Sequence, residues 1–338
     1  MNKEYLFYYI YNVMKRRMIC INRYLVQQGI CKKPMSIRRI RQYAGKKILD
    51  APEYNKWVYD KIINKEPFMV CRFGYNELSV VVEYLQEEKK PITNRQYPTF
   101  GQLCSNAGFF PADQGLVSKY VEVMLKTCKE IDICGIWRLF MEDYVLKTYA
   151  QQAQITLLGY LEPWNMLLDN QDGILWTSAL KGKKVLVVHP FAETIKSQYN
   201  HNRQNIFSKL CNAKDILPDF ELNVIKAVQT INGQESDKYE DWFQALESMV
   251  EECRKIDFDV AIVGCGAYGM PLAAEIKKMG KGVVHLGGAT QLLFGIKGRR
   301  WEEEYPEIAQ KVMNESWVRP SLDEIPKNAN MIENGCYW

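Results

Sequence analysis

Residues 258–288, FDVAIVGCGAYGMPLAAEIKKMGKGVVHLGG, constrain the fold of this chain more than any other stretch. The apolar run Val260–Val263 enters Gly264-Cys265-Gly266-Ala267-Tyr268-Gly269. A helical pattern follows to Lys278, and a second apolar run, Val283–Leu286, ends in Gly287-Gly288. Strand, G-x-G-x-x-G, helix, strand is the layout that turns a helix N-terminus and bare backbone N–H groups towards a phosphate. A side chain at Gly264, Gly266 or Gly269 would hold a diphosphate away from the backbone. The dinucleotide form of the motif also places an acidic residue at the end of the second strand to grip a ribose. Here that position reads His285-Leu286-Gly287-Gly288, so no nicotinamide cofactor is expected. The motif predicts a phosphate- or nucleotide-binding crossover. A glycine-rich turn that serves only close packing is the competing reading.

Other apolar runs of strand length, Phe68–Phe73, Ile131–Trp137, Lys183–His189 and Leu222–Val228, alternate with helical patterns at Leu78–Leu85, Tyr144–Ala150 and Trp242–Lys255. Strands separated by helices pair in parallel through right-handed crossovers. Several of these runs are apolar throughout, as strands covered on both faces should be. The prediction is an α/β fold with a doubly wound, mainly parallel, Rossmann-like sheet. At 338 residues, with 47% hydrophobic and 25% charged residues, the chain can bury one large core or two modest ones. Pro91–Gly115, rich in Pro, Gly, Asn and aromatics, reads as a long irregular binding loop. Three parts follow: a basic, aromatic helical arm at 1–50, an α/β domain at 51–325, and a tail at 326–338. The tail's final Cys336-Tyr337-Trp338 predicts docking on the body.

The arm holds twelve Lys and Arg against two Asp and Glu, so a body of opposite sign hides beneath the overall charge of +4. Tyr5, Phe7, Tyr8, Tyr9 and Tyr11 precede Lys15-Arg16-Arg17. Rings on a helix with cations at its end suit an anionic membrane surface, and they suit equally an arm packed on the body by its aromatic face. The apolar stretch is far too short to span a bilayer. Without a basic stripe on the body or a recognition module, nucleic acid is not an expected partner. The ten cysteines include no C-x-x-C pair and there is no signal-peptide pattern, so reduced thiols in a cytosol are expected, with the inner face of the membrane as the place of any association.

Ligands of an open α/β sheet sit beyond the carboxyl ends of its strands. The Phe68 strand ends in Arg72-Phe73-Gly74-Tyr75-Asn76-Glu77, where Glu77 can hold a divalent metal, act as a base, or favour a helix N-terminus. The Lys183 strand ends in His189-Pro190-Phe191-Ala192-Glu193, and His189 reads as an acid/base residue or a structural histidine. Past Gly287-Gly288, glycines interleave with Lys297, Arg299 and Arg300. That segment can close on a diphosphate or face solvent. The chain lacks G-x-S-x-G, H-E-x-x-H and G-x-x-x-x-G-K-[ST].

Arg72-Phe73-Gly74-Tyr75-Asn76-Glu77 resembles the R-F-G-D-G-E block of the GT-D type glycosyltransferases. LKGKKVLVVHPFAETI, the glycine block with the following GATQLLFGIKGRRW, and the ending ENGCYW resemble uncharacterised bacterial proteins grouped near that family, found among cell-surface polysaccharide genes. The likeness covers roughly residues 55–338 and leaves the arm out. It implies a GT-D type fold and transfer of a sugar from a nucleoside-diphosphate donor to a surface glycan or lipid-linked acceptor. The family's paired carboxylates imply divalent metal (Mn or Mg) and sugar-nucleotide binding. Glu77 matches the glutamate, Arg72 and Gly74 match the first and third positions, and Tyr75 stands in place of the aspartate. The expectation is therefore Glu77 as base or metal ligand and His189 as the second candidate base. Arg72, Gly74, Gly264, Gly266, Gly269, Lys297 and Arg299 would bind the donor, and Glu193 is the other carboxylate available to a metal. With one carboxylate instead of two, cationic side chains are preferred to a metal for neutralising the diphosphate. Two other classes stay open: a non-catalytic nucleotide- or phosphate-binding module, and a Rossmann oxidoreductase.

Overall fold

The computed structural model describes residues 3–30, 41–88, 94–211, 213–230, 236–326, 329 and 335–338. Nine strands form one sheet: β1 (Gln42–Tyr43), β2 (Lys46–Leu49), β3 (Phe68–Cys71), β4 (Ile133–Ile136), β5 (Gln154–Leu157), β6 (Lys184–His189), β7 (Glu221–Lys226), β8 (Val260–Val263) and β9 (Gly282–His285). Their spatial order is β1-β2-β5-β4-β3-β9-β8-β6-β7, and every pairing is parallel except that of β1 with β2.

The central strands are apolar throughout because both faces are covered. Along β6, Val185 and Val187 enter one core while Leu186 and Val188 enter the other; β3 and β8 divide their residues the same way. Helices α1 (Lys3–Gln27), α3 (Tyr75–Glu87), α4 (Pro98–Ala107), α5 (Val117–Thr127), α6 (Glu142–Tyr149), α9 (Trp242–Arg254) and α10 (Gly269–Lys278) contribute to the first core. The second takes α2 (Ala51–Ile63), α7 (Pro163–Leu168), α8 (Ala192–Asn202), α11 (Ala289–Leu293), α12 (Arg299–Glu303) and α13 (Pro306–Lys311). The predicted doubly wound α/β architecture is the one observed.

Local chemistry explains where the elements begin and end. Asp50 and Glu53 form a reciprocal capping box at the start of α2, with Pro52 in its first turn. The expected loop at Pro91–Gly115 is in part helix α4. Pro98 opens it, Phe100, Leu103 and Cys104 bury its inner face, and Gly108 closes it in the left-handed conformation at φ +83°. Strands β1, β2 and β5 went unread in the sequence because β1 has only two residues, and β2 and β5 mix polar, partly exposed residues into what would otherwise be an apolar run. Since β2 pairs with β5, residues 42–49 belong to the sheet, which corrects the arm's boundary at residue 50.

Helix α1 is held on the body by one face. The Tyr5 ring meets Tyr144 edge-on at 5.1 Å, and the Asn12 amide donates to Asp143 Oδ1 at 2.9 Å while its oxygen accepts from the Met141 N–H at 3.3 Å. The Arg16 guanidinium lies 4.4 Å from the centre of the Phe140 ring. Among the described residues no helix is long and apolar enough to cross a membrane.

Candidate active site at the carboxyl edge of the sheet

A cavity of about 740 Å³ opens beyond the carboxyl ends of β3, β4, β5, β6, β8 and β9. The exit of β7 adds Val228, Gln229 and Thr230, so seven strand exits contribute to its wall, at the edge where an open α/β sheet holds its ligands.

The exit of β3 supplies Arg72 and, one helical turn into α3, Glu77. Gly74 is the N-cap of α3, and the Glu77 carboxylate folds back over it: a Cβ at position 74 would lie 1.8 Å from Glu77 Oε2. The glycine of the R-F-G-x-x-E block is thus the seat of its glutamate. Burial raises the Glu77 carboxyl above the usual range, against the pull of the helix-start N–H and of Arg72. Gly74→Ala should displace this carboxylate. The expected result is a loss of roughly 1–3 kcal/mol from strain at a packed site, with turnover falling alongside. Unchanged melting temperature and turnover would show that Glu77 has no fixed seat.

The Arg72 guanidinium stacks on Trp137, 5.2 Å from the ring centroid, and Trp137 Nε1 donates to the Phe73 carbonyl at 3.0 Å. It also lies across Gly287, whose φ is +61°; a Cβ there would come within 2.2 Å of Arg72 Nη2. Its hydrogen bond in the protein is a long one, 3.5 Å to the Phe73 carbonyl. Among the described residues no carboxylate lies within ion-pair distance of it. A cation oriented by an aromatic face and left without a counter-ion is suited to an anionic ligand.

Glu162, beyond β5, is a site residue that sequence reasoning missed. It caps α7 ahead of Pro163, and Asn165 Nδ2 donates both to its Oε2 at 2.9 Å and to the Gly159 carbonyl at 2.8 Å. Burial pushes its carboxyl up to about 7, while Asn165 and the charge of Arg72 pull it down. A carboxylate that titrates near neutrality in a cleft is matched to proton transfer. The signal was the Glu-Pro pair at a strand exit, legible only once Gln154–Leu157 is recognised as a strand.

His189 lines the cavity, but its Nδ1 accepts the Phe191 N–H at 3.0 Å, and burial lowers its pKa to about 3. The imidazole is neutral and carries its proton on Nε2, so it presents a donor to the cavity. This corrects its expected role as second base. His285 is likewise neutral, lowered to about 3 by burial and by Arg72, with a buried Nδ1 that has no partner among the described residues.

The glycine motif serves packing before it serves a ligand. Gly264 and Gly266 line the cavity, and Gly269 does not. A Cβ at Gly264 would be 2.5 Å from both the Gly287 carbonyl and Thr290 Oγ1, one at Gly266 2.6 Å from the Ala107 carbonyl, and one at Gly269 2.2 Å from His285 Nε2. Lys297 and Arg299 do not line the cavity either. The Lys297 N–H bonds to the Val318 carbonyl at 2.7 Å, and Arg299 pairs with Glu303 at 3.5 Å. Their neighbour Arg300 takes the wall position instead, with Nη1 donating to Tyr337 Oη at 2.8 Å. Tyr337 and Trp338 line the same wall, and the Tyr337 ring leaves 3.1 Å for a Cβ at Gly288.

Glu193 is exposed in the first turn of α8 and is not part of the cavity wall, and Tyr75 is half exposed at the rim. Among the described residues no group of three His, Cys, Asp or Glu side chains could hold a metal ion. Glu193 therefore stands outside the cavity that holds Glu77, and the two do not converge on one site.

A doubly wound α/β domain with a large cleft at its carboxyl edge, walled by arginines, aromatics and glycine turns, has its ligand-sized cavity where open α/β sheets bind ligands. The family model for GT-D fold-like domains matches residues 50–293, and the chain belongs to that family, which makes it a glycosyltransferase-like protein. Two solved structures of domain of unknown function 1792 are similar to it at 13% and 14% identity, over 77% and 83% of this chain and 83% and 93% of theirs. Both give a TM-score of 0.41, and one was presented as having a distinct glycosyltransferase fold. A likeness that distant carries no functional statement. No curated protein matches the sequence.

Proposed function

We propose that the cavity binds a nucleoside-diphosphate sugar and that the protein transfers the sugar to a hydroxyl of a surface glycan or lipid-linked acceptor. The observation that carries this reading is the Arg72 guanidinium, stacked on Trp137 and without a carboxylate partner among the described residues, in the same cavity as Glu162, whose carboxyl burial pushes up to about 7. In the transfer, the acceptor oxygen bonds to the anomeric carbon and its proton passes to Glu162. The bond from that carbon to the diphosphate breaks, and the diphosphate leaves with the electron pair. Arg72 and Arg300 stabilise the charge that grows on it. His189 Nε2–H offers a further donor, whereas the N–H groups of Gly264 and Gly287 already bond to the Val188 and Val263 carbonyls. Glu77 lines the same cavity, near enough to Arg72 for the two charges to influence each other.

A divalent metal is implied by the fold family, yet the donor set does not suit one, so no step is routed through it. The guanidinium groups do the neutralising, and turnover persists in chelator. The test is release of nucleoside diphosphate from a panel of sugar nucleotides, with and without a chelator. Release with at least one donor in both conditions is expected. Absence of release with every donor, added acceptor glycans included, would overturn the transferase reading, and release abolished by chelator would overturn its metal-independent form.

A further inference from the structure

Helix α1 has a second face that the body does not use. Phe7, Ile10, Tyr11, Met14, Met18 and Ile21 recur at helical spacing and form one apolar stripe, opposite the face on which Tyr5, Asn12 and Arg16 meet the body. Phe7 is 66% exposed, Met14 59%, Met18 57% and Ile21 58%. From position 7 to 21 the stripe runs about 21 Å along the helix. Lys15 flanks it on one side and Arg17 on the other, and Arg23 follows in the same helix. The helix's acidic residue, Glu4, is paired with Lys147 of α6 at 2.9 Å.

We infer that this stripe docks on an anionic phospholipid bilayer, with α1 lying in the interface plane and its inner face still bound to α6. An apolar strip of this width, bordered by cations and too polar to span a membrane, matches the headgroup–acyl boundary of an anionic leaflet. Charge selects this occupant over a second copy of the chain. Two such helices packed stripe to stripe would set Lys15 and Arg17 of one against the like charges of the other, with no free acidic residue in the helix to answer them. The inner face of α1 grips Phe140 and Met141, in the segment that leaves β4 just after Trp137 of the cavity wall. On the transferase reading, docking would bring that wall beside the bilayer that holds a lipid-linked acceptor. Docking itself is measured without turnover, so the two readings stand or fall separately.

The experiment is flotation of the full chain with vesicles of phosphatidylcholine containing phosphatidylglycerol, and with pure phosphatidylcholine vesicles, at low and high salt. Light scattering of the protein alone accompanies it. Wild type should float with the anionic vesicles at low salt and be released by salt. Arg17→Ala should lower partitioning about fivefold, and Met14→Glu with Met18→Glu should lower it at least tenfold. Both methionines are exposed, so circular dichroism of the double variant should match wild type. Failure of wild type to float, or equal flotation of the double variant, would overturn the inference. So would a wild-type dimer that the double variant converts to monomer while vesicle binding stays unchanged, an outcome that would assign the stripe to a second copy.

Discussion

Glu162→Gln should cut turnover by about 10²–10⁴-fold, the range that a positioned general base contributes, and leave donor affinity near that of the parent. The substitution keeps the shape of the side chain and its capacity to accept from Asn165 Nδ2, but removes the site for the acceptor proton. The pH profile gives the sharper signature. A base works in its deprotonated form, and burial places this carboxyl near 7. Wild-type kcat should therefore fall about tenfold per pH unit below that value and level off above it. A bound diphosphate adds negative charge nearby, so the limb in the donor complex should lie at or above 7. The Gln variant should lose the limb altogether. A variant that keeps wild-type turnover, or the same acid limb, would remove Glu162 from the chemistry and return Glu77 to first place as base.

Arg72→Ala should weaken donor binding by about 10–100-fold, the equivalent of roughly 1.5–3 kcal/mol for hydrogen bonds to a charged group. Two consequences separate this role from a merely structural one. Arg72 lowers the Glu162 carboxyl, so in the Ala variant the acid limb should move to higher pH. Arg72→Lys should restore the charge but not the planar fork or its stacking on Trp137, and so recover only part of the affinity. Calorimetric titration of wild type and both variants with the donor measures the first effect, and pH profiles the second. An unchanged Kd in Arg72→Ala would place the diphosphate elsewhere.

The legible part of this molecule was the part dictated by backbone and burial. Val260–Val263 and Lys184–His189 announced themselves because strands covered on both faces can hold only apolar residues. The R-F-G-x-x-E block was legible because Gly74 must be a glycine for Glu77 to fold over it. The glycines of the 264–269 loop were read for their bareness. Only the tertiary structure reveals that Gly269 is bare to seat His285 and Gly266 to meet the end of α4. Arg300 could not be told from Lys297 and Arg299 by composition, since one residue's advance along a helix turns a side chain by about 100°, here from solvent to the cavity. Glu162 was hidden because the strand before it, Gln154–Leu157, carries Gln154 and Thr156 and shows no apolar run. Tyr337 and Trp338, read as a docking tail, stand in the cavity wall only because Arg300 and Gly288 meet them from a distant part of the chain.

The central claim is that the cavity between β3 and β9 is a nucleoside-diphosphate site organised by arginines. The direct measurement is a crystal structure of the full chain with whichever nucleoside diphosphate raises its melting temperature most in a panel screened in chelator. The diphosphate is expected at the Gly287-Gly288 turn, within hydrogen-bonding reach of the Arg72 and Arg300 guanidinium groups, with Glu162 open to the acceptor side. A diphosphate bound away from Arg72, or no stabilisation by any nucleoside diphosphate, would contradict the claim.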